Sequence, residues 1–222
     1  MQKGRIFFNL SFQKCVKLCM NTSTAVDVRM GRPREFDEDA ALEAAMRVFW
    51  AKSYEGATMS DLTEAMGINR SSMYAAFGDK ETLFRRAIER YRTGPMTYIR
   101  EALALPTLRE VVPALLHGTV EFLGSSGNPR GCLSLQATLA SGTDAEPARD
   151  AMIEWRKQGE AALKKRVQQA RRDGDLDKKI NRSDFAHYLS MLMSGLGIQA
   201  ANGATKKELK RYAEMVLRFL GY

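Results

Sequence analysis

Residues 67–84 read GINRSSMYAAFGDKETLF. Gly67 stops a preceding helical pattern, Asn69 is suited to cap a short helix from Arg70 to Phe77, and Gly78 ends that helix. Asp79 is then placed to cap a longer helix from Lys80 through Leu83, Phe84, Ala87, Ile88 and Tyr91. In the short helix Met73 and Phe77 share one face with Ile68 below them, while Arg70, Ser71 and Tyr74 share the other. The outer face lacks the Glu/Lys pairs at i,i+4 that a solvated helix usually carries. Ser71, Ser72, Ala75 and Ala76 keep it thin, which is the steric condition for a helix that enters a major groove and reaches base edges or phosphates. A plain helical hairpin with a solvated outer face fits the same spacing.

Upstream, Thr58-Met-Ser-Asp61 has the capping-box form and opens a short helix expected to bury Leu62, Ala65 and Met66. Ser53 to Ala57 reads as a connector. Before it, Asp37, Glu38 and Asp39 start a helix after Phe36 whose apolar stripe is Ala41, Leu42, Ala45, Met46, Phe49 and Trp50. Two short helices joined by a glycine turn and packed behind an amphipathic helix make a helix-turn-helix pattern, at about residues 59–78. Gly94-Pro95 marks a kink or break and the expected domain boundary. Beyond it, helical periodicity covers about 107–124, 131–141, 146–173, 182–202 and 205–220. There is no internal repeat.

The expected class is all-α. Helix formers dominate the 222 residues, and Val and Ile rarely alternate with polar residues as a half-buried strand requires. No apolar run reaches the roughly 18 residues of a membrane span, so no membrane partner is expected. A net charge of +8 and a pI near 9.5 point to an anionic partner. Yet residues 30–95 carry ten basic and eleven acidic side chains, so bulk charge alone does not direct nucleic acid there. Cys15, Cys19 and Cys132 form no disulfide framework and fit a reducing cytoplasm. No metal site is expected at Cys15 and Cys19, which lack further ligands nearby. Residues 1–29 open with a basic and apolar run interrupted by Lys14 and Lys17, and read as a flexible or adventitious extension.

Residues 32–92 resemble the DNA-binding domain of the TetR/AcrR family of transcriptional regulators. The resemblance rests on ALEAAMRVFW, on the Thr58 to Met66 helix, and on the spacing of Tyr74, Phe77, Lys80 and Leu83. It implies a DNA-binding domain over 30–95 and a C-terminal ligand-binding and dimerisation domain over 96–222. It further implies that Arg70 and Ser71 lead the recognition helix with Ser72 beside them, that Tyr74 lies over bases or backbone, and that Thr58 and Lys80 reach phosphates from helix N-termini. Many members carry an aromatic residue and His just before the Phe, where this chain has Ala75 and Ala76. Gly31-Arg32-Pro33-Arg34 resembles a minor-groove-binding arm, and reads equally as a linker with incidental charge.

The second half resembles the family by architecture and by RGCLSLQATLASG. The resemblance implies a homodimer on palindromic double-stranded DNA and a small-molecule effector of unknown identity, with no cofactor. AHYLSMLMSGLGIQAANGA, with Tyr212, Met215, Val216 and Phe219, is suited to a four-helix dimer bundle or to an intrachain core. Effector-pocket candidates are His117, Phe122, Cys132, Gln136, Met152 and Trp155, for each of which ordinary packing is the competing role. Cys132 is additionally a candidate thiol sensor. Two other functions compete with an inducible repressor. One is a dinucleotide-dependent enzyme, drawn from the match of Gly195-Leu-Gly-Ile-Gln-Ala200 to G-x-G-x-x-A, though the surrounding residues read as helix. The other is a non-inducible architectural dimer on DNA, which would lack an internal cavity.

Overall fold

Helix starts are written into side chains from Asp37 onward. In the computed structural model, which describes residues 36–138 and 146–222, Asp37 Oδ1 accepts from the backbone N–H groups of Asp39 and Ala40 at 2.9 and 3.2 Å. Helix α1 (Glu38–Gly56) follows, and its buried stripe includes Phe49 and Trp50, both fully enclosed. It runs on through the stretch expected to be a connector, leaving helical geometry at Ser53 (φ 62°, ψ 178°). A non-glycine residue held there costs about 1–3 kcal/mol. The bend carries Tyr54 inward against Phe49 and Phe84, with ring centroids 6.1 and 5.1 Å away, and this burial offsets the strain.

Thr58 and Asp61 open α2 (Met59–Met66) with reciprocal bonds of 3.1 and 3.0 Å, side chain to backbone in both directions. Leu62 and Met66, one turn apart, fill the contact with the core. Ala65, expected to be buried, lies at the flank and is exposed, because so short a helix presents only a narrow apolar face. Gly67 closes α2 in the left-handed region (φ 66°), where a side chain would be strained. Asn69 Oδ1 then accepts from Ser72 N at 2.8 Å to start α3 (Arg70–Phe77), and Asp79 Oδ1 accepts from Thr82 N at 2.8 Å to start α4 (Lys80–Thr93).

A short helix α5 (Thr97–Leu103) follows, which the sequence reading passes over. Its Met96 cap makes no side-chain bond, and Gly94-Pro95 reads as a break rather than as a prelude to helix. The remaining elements are α6 (Leu108–Leu123), α7 (Leu133–Thr138), α8 (Glu146–Arg172), α9 (Arg182–Ala201) and α10 (Lys206–Leu220). No strand occurs among the described residues, and the fold is all-α. Gly195 to Ala200 lies inside α9, so the loose dinucleotide pattern has no strand before it. No described helix is long and apolar enough to cross a membrane.

Two apolar clusters hold these helices. The first joins α1–α4 to Phe122 of α6, Cys132, Leu133 of α7 and Met152 of α8. The second joins α6 to α9, α10 and the later turns of α8. The first cluster crosses the Gly94-Pro95 segment, so α1–α4 and the later helices share buried surface, and residues 36–222 form one compact unit.

Candidate functional site

Helix α3 is gripped from behind and open in front. Met73 and Phe77 are enclosed, whereas Arg70, Ser71 and Ala75 are exposed and Tyr74 is 52% exposed. An aromatic ring left half in water on an eight-residue helix is an offer of contact surface. Arg70 Nη2 donates to Ser60 Oγ of α2 at 3.1 Å and takes no carboxylate partner among the described residues. This bond stretches the guanidinium across the front of the helix pair without neutralising it. Ser71 Oγ donates to Asn69 Oδ1 at 2.7 Å, which keeps the hydroxyl at the leading end of α3, and Ser72 is half-buried.

The neighbouring cations behave differently. Lys52 pairs with Asp61 at 2.7 Å, Arg85 with Glu81 at 2.8 Å and Arg90 with Glu43 at 3.0 Å. Such pairing explains how ten basic residues in a balanced segment still leave a cation for a partner at Arg70. The Lys52 ammonium, with the Thr58 backbone and hydroxyl, holds the half-buried Asp61 carboxyl down at about 2. Lys80 Nζ stands 4.5 Å from the centroid of the Tyr54 ring, at the N-terminus of α4. Thr58 is exposed, with its hydroxyl committed to the capping box. Arg32 and Arg34 lie outside the described residues, as does the whole segment 1–29.

Arg86 was not among the sequence candidates. Its guanidinium lies 4.5 Å from the Phe77 ring centroid, and Nη1 donates to the Ala76 carbonyl at 2.9 Å, satisfying one of the free carbonyls at the end of α3. Its Nη2 reaches Glu38 at 3.4 Å, so α1, α3 and α4 meet on one side chain. The i,i+10 separation from Ala76 gives no periodic signal by which to find it.

A cavity of about 410 Å³ lies within the bundle, walled by side chains from α4 to α9. Phe122, Cys132 and Trp155 line it. His117 does not: it is exposed and pairs with Glu214 of α10 at 3.0 Å. Gln136 turns away to donate to the Arg130 carbonyl at 3.1 Å, and Met152 is enclosed in the first apolar cluster. At one side of the cavity the aromatic rings pack into a junction. Trp50 of α1 meets Tyr91 of α4 edge-on at 4.9 Å and stacks on Phe122 at 5.3 Å, while its Nε1–H donates to the Gly131 carbonyl at 3.1 Å. Tyr91 Oη lies 3.3 Å from Cys132 Sγ, and burial raises the phenol's pKa well above its usual range, so it stays neutral.

Residues 41–87 match the family model for bacterial regulatory proteins of the tetR family, and residues 104–216 match the tetracyclin repressor-like C-terminal domain. Among curated proteins, the HTH-type transcriptional repressor ComR of Escherichia coli strain K12 is 26% identical, over 90% of this chain and 97% of ComR. The HTH-type transcriptional repressor BdcR of the same strain is 27% identical, over 83% of this chain and 89% of BdcR. Among solved structures, a cysteine mutant of the TetR family transcriptional regulator CifR, complexed with 26 bp double-strand operator DNA, superimposes with a TM-score of 0.80 at 39% identity. That match spans 84% of this chain and 98% of CifR. With the open face of α3 set in the helix-turn-helix and both halves matched, the chain belongs to the TetR family and is a sequence-specific DNA-binding transcriptional regulator.

Proposed function

We propose that the protein is a homodimeric repressor in the cytoplasm, that its two α3 helices read a palindromic operator, and that a small molecule in the bundle cavity releases it. The observation that carries this reading is the placement of α4. Its first residue, Lys80, is separated from the reading helix only by Gly78 and Asp79, and its last turn, Arg92 and Thr93, forms part of the cavity wall. A ligand that prefers one seating of that turn shifts the position of α3 by its differential affinity. Arg70, Ser71, Ser72 and Tyr74 are the proposed reading residues, with Thr58 and Lys80 on phosphates. An internal cavity supports an inducible regulator over an architectural dimer.

The proposed dimer face is on α9 and α10. Tyr188, Met191, Ile198, Met215 and Phe219 are all large, apolar and exposed, Phe219 to 83%. A groove beside them runs between Leu116 of α6, Leu192 of α9 and Val216 of α10. Apolar side chains left in water along two adjacent helices fit a second copy of the same face, as a two-fold interface requires. The test is the double change Met191→Glu with Phe219→Glu, read by sedimentation and by operator binding. Loss of the dimer together with loss of operator affinity is expected; a persisting dimer, or a monomer that binds at full affinity, refutes the proposal.

A further inference from the structure

The charged side chains on the cavity wall are unequal in sign. Arg92, Arg100 and Arg156 line it, against Glu160 as the carboxylate. Arg92 already pairs with Glu89, and Glu160 is claimed by Lys164 at 2.8 Å and by His187 at 3.1 Å. The Lys164 ammonium first, then His187, holds the Glu160 carboxyl below its usual range, so it stays ionised and its charge is already matched. Arg100 is exposed, whereas Arg156 is partly buried on α8. The bond found for Arg156 is Nη2 donating to the Ser194 hydroxyl of α9 at 3.2 Å. It has no carboxylate among the described residues. Ser190 lies one turn before Ser194 and also lines the cavity.

The aromatic part of the wall offers little to a polar ligand. Thr119 Oγ1 donates to the Leu115 carbonyl at 2.7 Å, which leaves the Tyr98 hydroxyl, 3.2 Å away, to donate to Thr119. Burial raises the Tyr98 pKa, so the phenol carries no charge. Phe122, Trp155, Leu163 and Met193 supply apolar surface. A guanidinium with no carboxylate partner among the described residues, facing a largely apolar chamber, selects a ligand with one anionic end and an apolar body.

We propose that the effector is an apolar monocarboxylate, whose carboxylate is taken by Arg156 and Ser194 and whose body packs against Trp155, Phe122 and Met193. The inference rests on the reading of this cavity as the effector site. A carboxylate accepts the guanidinium's hydrogen bonds in parallel and adds the Ser194 hydroxyl, while the surplus of arginines draws anions toward the opening. A primary amine of the same shape meets like charge. An alcohol gains hydrogen bonds but no charge pairing.

Three isosteric probes test it: 3-phenylpropanoate, 3-phenylpropan-1-ol and 3-phenylpropylamine. Binding to the full chain is measured by calorimetry, and release by anisotropy on labelled DNA taken from an operator selection. The acid should bind about ten-fold or more tightly than the alcohol, the amine should bind weakest, and Arg156→Gln should erase the order. Arg156→Lys, which keeps the charge, should keep the acid in first place, so a folding defect in the Gln variant is told apart from loss of the anion site. The proposal is overturned if the alcohol or amine matches the acid, if no probe binds, or if the preference survives in Arg156→Gln. If the acid binds with the expected preference yet leaves DNA affinity unchanged, the ligand class stands and the effector reading fails.

Discussion

Replacing Trp50 by Phe removes one hydrogen bond at the place where α1 meets the later helices. Trp50 is fully enclosed, and its indole N–H is 3.1 Å from the carbonyl of Gly131, itself buried. Phenylalanine keeps a ring near Tyr91 and Phe122 but loses the donor, leaving a carbonyl without its partner at a cost of about 1–3 kcal/mol. The smaller ring also leaves space in a close-packed junction, adding roughly 1 kcal/mol. A total of about 2–4 kcal/mol translates, at about 2–4 °C per kcal/mol for a chain of this size, into a fall of about 4–16 °C in the unfolding midpoint. Differential scanning calorimetry reads this directly, with His117→Ala as a surface control expected to stay within about 0.5 kcal/mol of the parent. Operator affinity well below the midpoint should be retained, because the hydrogen bond and ring contacts of Trp50 go to Gly131, Tyr91 and Phe122 and to none of the residues of α3. A midpoint lowered by no more than the control would refute the assignment of Trp50 as a main tie between α1 and the segment before α7.

Three other outcomes follow from the geometry. Arg70→Ala should leave stability within about 0.5 kcal/mol, since only the bond to Ser60 is lost. It should weaken operator binding by about 1–3 kcal/mol per protomer and, if the contact is to phosphate, lower the salt slope by about one, both read by anisotropy across salt concentrations. For Asp61 the folded-state pKa is about 2, below the ordinary unfolded value near 4, so its ionised form stabilises the fold above about pH 4 and that support is lost as pH falls toward 2. Acid titrations followed by circular dichroism should show a shallower loss over that window for Asp61→Asn, from a lower starting stability; identical slopes would discard the capping box as an acid-sensitive element. Cys132→Ser places a hydroxyl beside Tyr91 and Ser134, both able to bond it, so DNA affinity should be unchanged; loss of oxidant-induced release in this variant would instead make the thiol a sensor.

The first four helices were legible because their ends are encoded in local chemistry. Asp37, Thr58 with Asp61, Asn69 and Asp79 each accept a backbone N–H within three residues, and Gly67 and Gly78 take positive φ. Helix α5 was not legible, since Met96 provides no capping group and the tie of Tyr98 to Thr119 of α6 joins residues far apart in the sequence. The extension of α1 past Ser53 escaped for the opposite reason. Its strained backbone is compensated by Tyr54, whose partner Phe84 is thirty residues away and invisible to periodicity. Facing was the weaker part of the second half. Periodicity places Met152 and Trp155 on α8 but does not say which neighbour each meets, and the structure sends Met152 to the core and Trp155 to the cavity wall. His117 goes to the surface because Glu214 of α10 is there to meet it. The Trp50 to Gly131 bond and the Arg86 clasp on α3 join residues brought together only by the fold.

In the proposed reading, α3 recognises DNA sequence through Arg70, Ser71 and Tyr74 in each half of a two-fold dimer. Selection of bound duplexes from random DNA at low salt tests it most directly. The expected result is an enriched palindrome, with half-sites spaced to place the two α3 helices roughly 34–36 Å apart in the simplest arrangement, and with relaxed preference in an Arg70→Ala or Ser71→Ala chain. A pool that shows no enriched palindrome, or one whose preferences are unchanged by both substitutions, would contradict it.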